Sequence, residues 1–128
     1  MAADPQDERV PIVLLVEDEV MILTMLAQAM EDAGFAVIEA VNGDEARAVL
    51  QSQAAIDAMV TDVRMPGALD GLQLAALARC ERPQLKVIVT SGHVHRGASA
   101  GLADDFFDKP YHIARIIQRV DQLTATQR

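Results

Sequence analysis

Hydrophobic and polar positions along the chain alternate between short apolar runs and longer stretches with helical spacing. The first run, 11–16, is apolar throughout and ends abruptly at acidic residues, which is typical of a strand covered by helices on both faces. Over 19–33 the apolar residues recur every three or four positions. This spacing predicts an amphipathic helix that ends before Gly34.

The rest of the chain repeats this alternation, with glycine and proline at the breaks. Segment 93–103 is rich in Gly, Ala and Ser, and its weak periodicity predicts only a short or irregular fourth helix. The order of elements predicts one α/β domain with a doubly wound, five-stranded parallel sheet. The further predicted strands are 35–38, 56–61, 85–90 and 106–107, and the further predicted helices are 44–51, 69–80 and 111–124.

Composition and charge narrow the function classes. The 128 residues suit one domain, and the net charge of −8 disfavours general nucleic-acid binding, which needs clustered Lys and Arg. The apolar run at 10–16 is shorter than the roughly 20 residues that cross a bilayer. Residues 1–9 are polar and do not resemble a secretory leader. We therefore expect a cytoplasmic protein that contacts neither nucleic acid nor membranes directly.

Candidate chemistry follows the predicted strands. Glu17 and Asp18 come after the first strand, Asp62 after the third, Ser91 after the fourth and Lys109 after the fifth. Ligands of open α/β sheets bind at the carboxyl ends of the strands, so we expect these side chains to converge. Clustered carboxylates need a cation, and hard oxygen ligands favour Mg²⁺, with Mn²⁺ as the alternative. Together with the lysine and the serine, such a site suits a phosphoryl group.

Four motifs at the ends of the predicted strands carry a family resemblance. They are Leu15-Val-Glu-Asp-Glu19, Thr61-Asp-Val-Arg-Met-Pro66 with Asp70-Gly71, Val89-Thr-Ser-Gly92 and Phe107-Asp-Lys-Pro110. With these motifs in this order, the chain resembles the receiver domain of two-component response regulators, of the single-domain type. The resemblance implies a flavodoxin-like (βα)5 fold over 10–125, with polar tails at 1–9 and 126–128.

The resemblance also implies a phosphoacceptor and a metal site. Asp62 would accept a phosphoryl group from a sensor histidine kinase or a histidine phosphotransfer protein. Asp18 and Asp62 would bind Mg²⁺ directly, and Glu17 would bind it through water. The backbone carbonyl of Arg64 would complete the ligand set. Such a domain is not an enzyme in the usual sense, because it promotes only its own phosphorylation and dephosphorylation.

The remaining roles implied by the resemblance concern stabilisation and switching. Lys109 would neutralise charge on the phosphoryl group, and a cis bond to Pro110 would direct its ammonium into the site. Ser91 would hydrogen-bond the aspartyl phosphate. Phe106 stands at the position of the rotating switch aromatic.

Four features depart from the commonest form of the family. The loop between Pro66 and Gly71 is one residue longer, and Arg64 places a bulky cation near any attacking water. Phe106 lacks the hydroxyl of the more usual tyrosine. The span from Ser91 to Lys109 is short by roughly one helical turn.

Partners and rival functions complete the sequence-based expectations. Because the chain ends at Arg128, we expect a stand-alone domain that signals by docking to an unidentified downstream protein or by phosphorelay. A homodimer through the last-helix face, which carries Arg115 and Arg119, is a further option. One alternative is a degenerate pseudo-receiver, a phosphorylation-independent interaction module. A metal-dependent phosphohydrolase is disfavoured, because Arg64 stands where such enzymes commonly have a second acid.

Three other features have plain structural interpretations. The pair His93 and His95 lacks further soft ligands and is not expected to bind a metal. Cys80 is expected to be a small buried residue. Met21 and Met25 are expected to fill the core and its flank, together with Met30.

Overall fold

The computed structural model describes residues 10–92 and 101–125, which form a parallel sheet between two layers of helices. The five strands lie in the order β2-β1-β3-β4-β5. This confirms the predicted doubly wound α/β fold. The bounds are β1 Ile12–Val16, α1 Val20–Asp32, β2 Ala36–Ala40, α2 Gly43–Gln51, β3 Ala58–Asp62, α3 Gly71–Glu81, β4 Lys86–Ser91, β5 Asp105–Asp108 and α4 Ile113–Ala125.

The sheet separates two hydrophobic cores, and this explains why the strands are apolar at successive positions. In β1, Leu14 and Val16 pack under α2 and α3, whereas Val13 and Leu15 pack under α1 and α4. Side chains alternate between the two faces of a strand, so a strand covered on both faces has no polar positions in its middle.

The ends of the elements have identifiable local causes. Asp70 caps α3 in a reciprocal capping box with Gln73, so this helix begins at Gly71 rather than at the predicted 69. β3 begins at Ala58 rather than at 56, and just before it the Asp57 side chain accepts the N–H of Ile12 at 2.8 Å. Gly34, with a φ of +98°, ends the turn after α1 as predicted.

Two expectations about single side chains were wrong. Cys80 is exposed, because the buried positions of α3 lie on another face of that helix. Met21 and Met25 are 79% and 58% exposed, and only Met30 of the three methionines is buried. Both exposed methionines lie on the outer face of α1, away from its buried positions.

Several predictions fall wholly or largely outside the described residues. These are the tails 1–9 and 126–128, the histidine pair at 93 and 95, and most of the irregular helix predicted for 93–103. Within 10–92 and 101–125, no helix is both long enough and apolar enough to cross a membrane. The cytoplasmic location and the domain boundaries at 10 and 125 stay predictions.

Candidate functional site

Three acidic side chains meet at the carboxyl edge of the sheet. Glu17 and Asp18 directly follow β1, and Asp62 is the last residue of β3. Since β1 and β3 are adjacent and parallel, with Val16 opposite Thr61, their ends lie side by side. One carboxylate oxygen from each acid lies within 4.8 Å of the others. The structure therefore brings these three acids together, as their positions at the strand ends predict.

Lys109 bridges two of these acids. Its Nζ donates to Oδ2 of Asp62 at 2.9 Å and to Oε1 of Glu17 at 3.4 Å. The backbone N–H of Lys109 donates to the carbonyl of Ser91 at 2.7 Å, which holds the residue at the end of β4. The Lys109–Pro110 peptide bond is cis, as predicted.

Burial governs the electrostatics of the cluster. The Glu17 side chain is only 2% exposed, and burial is the main cause that raises its pKa; the nearby charge of Asp62 raises the pKa further. The N–H of Glu19 and the Lys109 ammonium oppose this rise without cancelling it. Burial lowers the pKa of Lys109, but its hydrogen bonds and charge pairs with Asp62 and Glu17 outweigh burial, and its pKa is raised. The lysine therefore stays a cation.

The acid cluster fits a hard divalent cation. A buried glutamate with a raised pKa beside two further carboxylates is destabilised as an anion, and one lysine does not remove that effect. The half-buried Asp18 lines a cavity of about 500 Å³, through which solvent reaches the cluster. Oxygen ligands with space for water are what Mg²⁺ prefers. The lining residues of the cavity are Asp18, Val63, Arg64, Met65, Pro66 and Asp70.

Ser91 and Phe106 occupy different environments. Ser91 is the last residue of β4, is 1% exposed, and lies beside Asp108 at the same edge of the sheet as the acids. Phe106 is buried in the core on the side of α2 and α3, and Leu102 and Ala103 pack against the same core. The structure therefore places Ser91 at the edge that carries the site and Phe106 in the core.

Arg64 lies at the mouth of the site. It follows Val63 in the loop after β3, its side chain is exposed, and it lines the same cavity as Asp18. The implied role of its backbone carbonyl as a metal ligand stays a prediction.

Tyr111 is a site neighbour that the sequence analysis treated only as the start of a helix. Burial is the main cause that raises the pKa of Tyr111; the charge of Lys109 lowers this pKa, and the charge of Glu17 raises it. It lines an apolar groove of about 430 Å³ next to Lys109, together with Ile22, Met25, Pro110 and Ile113. The outward methionines of α1 and a tyrosine two residues after Lys109 were the available signals.

Comparisons with known proteins agree with this geometry. A family model described as the response regulator receiver domain matches residues 13–121. The transcriptional regulatory protein PrrA of Mycobacterium tuberculosis is 34% identical over 119 residues, which cover 88% of this chain and 49% of PrrA. The chain thus spans about half the length of that relative.

Two solved structures are similar over almost their whole length. The response regulator receiver protein from Sinorhizobium medicae WSM419 superimposes with a TM-score of 0.85 at 35% identity, covering 94% of this chain and 98% of that chain. The response regulator protein TrrA from Thermotoga maritima, in complex with Mg²⁺-BeF, gives a TM-score of 0.78 at 26% identity. That match covers 89% of this chain and 99% of TrrA.

Proposed function

Because the chain belongs to the response regulator receiver domain family, we propose that it is a signalling domain that accepts a phosphoryl group on Asp62. The donor is a sensor histidine kinase or a histidine phosphotransfer protein, and the output is docking to another protein or onward relay. The observation that carries this proposal is the position of Asp62, which lies beside two further acids and 2.9 Å from the Lys109 ammonium.

A magnesium ion fits the proposed reaction. Asp18, Asp62 and the backbone carbonyl of Arg64 would hold the ion, with Glu17 acting through water; Mn²⁺ would serve in its place. When bound, the ion offsets negative charge on the transferring phosphoryl oxygens. The similarity to TrrA, whose structure is a complex with Mg²⁺-BeF, supports this choice.

In the transfer step, a carboxylate oxygen of Asp62 attacks the phosphorus atom of a phosphohistidine. A phosphorus–oxygen bond forms as the phosphorus–nitrogen bond breaks, and the electron pair stays on the imidazole, which takes up a proton from water. Lys109 exchanges its hydrogen bond to Asp62 for one to a phosphoryl oxygen, and its raised pKa keeps it charged throughout. The product is a mixed anhydride on Asp62.

Ser91 and Phe106 would convert this modification into a change of surface. The Ser91 hydroxyl lies at the same edge of the sheet and would donate to the aspartyl phosphate, drawing its segment inward. Phe106 lies three residues before Lys109 in the chain, and its packing in the core on the side of α2 and α3 would follow that movement. This is a switch between two arrangements rather than catalysis on an outside substrate.

The donor protein has a suitable docking surface next to the site. Val20, Met21 and Met25, here called the α1 patch, are 62%, 79% and 58% exposed. The groove beside this patch is lined by Lys109, which also contacts Asp62, so a protein seated there reaches the acceptor. We propose that an apolar helix of the phosphohistidine donor covers the α1 patch.

The last-helix face is a separate surface. On it, Arg119 donates to Asp105 at 2.8 Å, and the exposed Arg115 lines the same shallow cavity of about 350 Å³. Arg115 offers a cation to an acidic group of a downstream protein or of a second copy of the chain. A homodimer through this face stays a prediction, and size-exclusion chromatography with light scattering, with and without beryllofluoride, measures it.

Intact-mass spectrometry after incubation with acetyl phosphate tests the proposed function. We expect a Mg²⁺-dependent gain of one phosphoryl group that is lost in Asp62→Asn. Asp70→Asn is the matched control, because Asn also caps a helix and Asp70 lines the same cavity without joining the acid cluster. An equal gain in Asp62→Asn would contradict the proposal. If wild-type protein gained no mass and also failed to bind beryllofluoride, the interaction module without phosphorylation would replace it.

A further inference from the structure

Gly43, the first residue of α2, lies against the loop that carries Arg64. A Cβ atom at this position would lie 2.6 Å from both the Cβ and the carbonyl oxygen of Leu69. Atoms do not pack at that distance, and one of the two contacts is backbone, so a rotamer change alone does not relieve it. The close approach of α2 and Leu69 therefore requires that residue 43 has no side chain.

The turn that carries Gly43 is itself fixed. Asn42 caps α2 by accepting the N–H of Glu45 at 2.8 Å, and the carboxylate of Glu45 accepts the N–H of Val41 at 2.9 Å. These two hydrogen bonds restrict movement of the N-terminus of α2, so Gly43 keeps its position against the loop.

The far end of the loop is fixed on the backbone of the phosphoacceptor. The N–H of Gly71 donates to the carbonyl of Val63 at 2.8 Å, and a Cβ on Gly71 would lie 1.9 Å from the carbonyl oxygen of Asp62. Since α3 begins in direct contact with Asp62, a shift of Leu69 cannot be absorbed by moving that helix away. It is transmitted into the loop, here defined as 64–70.

The loop forms a wall of the proposed metal cavity. Asp70 follows Leu69 directly and lines the same cavity as Asp18 and Arg64. A second glycine of the loop, Gly67, has a φ of +106° and lies near the start of α2, where its Cβ would be 4.0 Å from a carboxylate oxygen of Asp44. The loop therefore approaches α2 at two glycines, one on each element.

We propose that this contact holds the metal-facing loop in place and that Gly43 is a positioning residue for metal binding. With no side chain at position 43, loop 64–70 rests on α2, and the backbone of Arg64 keeps its place beside Asp18. This inference rests on the proposed function, because it concerns how the same site holds its cation.

Calorimetric titration with Mg²⁺ tests this role without any phosphoryl transfer. We expect Gly43→Ala to raise the Mg²⁺ dissociation constant roughly tenfold, as happens when groups that orient metal ligands are changed. The matched control is Ala48→Gly, which weakens the same helix at an exposed position away from the loop. We expect it to lower the unfolding midpoint while changing the dissociation constant less than twofold.

Gly67→Ala provides a second test should Gly43→Ala not fold. It strains the loop at an exposed position of positive φ, so the core is untouched, and we expect weaker Mg²⁺ binding here too. The proposal is overturned if folded Gly43→Ala binds Mg²⁺ as wild type does, or if Gly67→Ala leaves the affinity unchanged. Failure of the proposed function has a different signature: the wild-type protein itself would not bind Mg²⁺, or Asp62→Asn would gain a phosphoryl group as the wild type does.

Discussion

At the scale of single residues, the site depends on charged groups that are buried to different degrees. Glu17 is buried, so its carboxylate is the one whose charge is least screened by water. Asp18 is half-buried and lines the cavity. Lys109 connects Glu17 and Asp62 from across the sheet. The cluster is consequently short of positive charge, which a bound cation would supply.

Removing the Asp18 carboxylate is expected to abolish stabilisation by Mg²⁺. A ligand that binds only the folded state stabilises it by about 2.7 kcal/mol at a hundred times its dissociation constant. Thermal unfolding with and without Mg²⁺ measures this difference. Asp44→Ala, which removes an exposed acid at the start of α2, should keep the full effect. An undiminished effect in Asp18→Ala would place the ion elsewhere.

The single tyrosine reports on the groove beside Lys109. Burial raises the pKa of Tyr111 above its usual 10.0, so its tyrosinate absorbance should appear at higher pH in the folded than in the unfolded protein. As the pH rises past 10.0, the unfolded state loses this proton first, so stability falls with increasing pH in that range. Tyr111→Phe should show a smaller fall. A folded-state midpoint at or below 10.0 would contradict the burial of the ring.

A site residue could be predicted from the sequence where it directly follows a predicted strand. Glu17, Asp18 and Asp62 follow from their places at strand ends, because parallel strands end at one edge. The contact of Gly43 with Leu69 joins two turns that are distant in the chain, and no local pattern encodes it. The exposure of Met21 was missed because a methionine on a helix fits both a core and a surface.

At the scale of elements, α2 is held at its C-terminus by a side chain from the end of α3. Arg82 donates hydrogen bonds to the carbonyls of Leu50, Ala54 and Ser52 at 3.0, 2.6 and 2.9 Å. The last carbonyls of a helix have no partners within the helix, so the guanidinium satisfies that of Leu50. Its bonds to Ser52 and Ala54 also hold the turn that follows α2. α2 is short, and it carries at its other end the Gly43 contact with the loop.

Replacing Arg82 is therefore expected to destabilise the whole domain. Arg82→Ala leaves partly buried carbonyls without their donor, and we expect the free energy of unfolding to fall by about 1–3 kcal/mol. Urea denaturation measures this change. Arg47→Ala is the control on the same helix, because its pair with Asp44 is exposed and 3.9 Å long; it should change stability by less than about 0.5 kcal/mol. Equal effects of the two substitutions would show that the carbonyl contacts contribute nothing.

The elements themselves were more predictable than their ends. A continuous apolar run identifies β1 because both faces of the sheet are covered. The predicted start of α4 is 111, but the helix begins at Ile113. Tyr111 precedes the helix and lines the apolar groove, and the carbonyl of His112 accepts the first helical N–H groups. Such boundaries depend on tertiary contacts that periodicity does not contain.

At the scale of the whole molecule, the acid cluster and the α1 patch lie at the same end of the sheet. Lys109 contacts Asp62 in the acid cluster and also lines the apolar groove. A partner on the patch would therefore lie next to a phosphoryl group on Asp62. The chain spans about half the length of its relative PrrA, so the output of this domain stays a proposal.

Substituting the α1 patch should separate protein donors from small donors. We expect Met21→Glu combined with Met25→Glu to slow transfer from a phosphorylated histidine phosphotransfer protein that labels the wild type, by roughly tenfold or more if these residues anchor the contact. Labelling by acetyl phosphate should not change, because the site is intact. Thr24→Glu adds a comparable charge at an exposed position of the same helix as a control. Equal slowing with both donors would indicate damage to the site instead.

The most direct test of the central claim is to locate the phosphoryl group on the chain. Borohydride reduces an acyl phosphate on aspartate to homoserine, which tandem mass spectrometry assigns to one position. After incubation with acetyl phosphate and Mg²⁺, we predict homoserine at position 62, and none when Mg²⁺ is withheld. Homoserine at another acidic position, with residue 62 unmodified, would contradict the assignment of Asp62 as the phosphoacceptor.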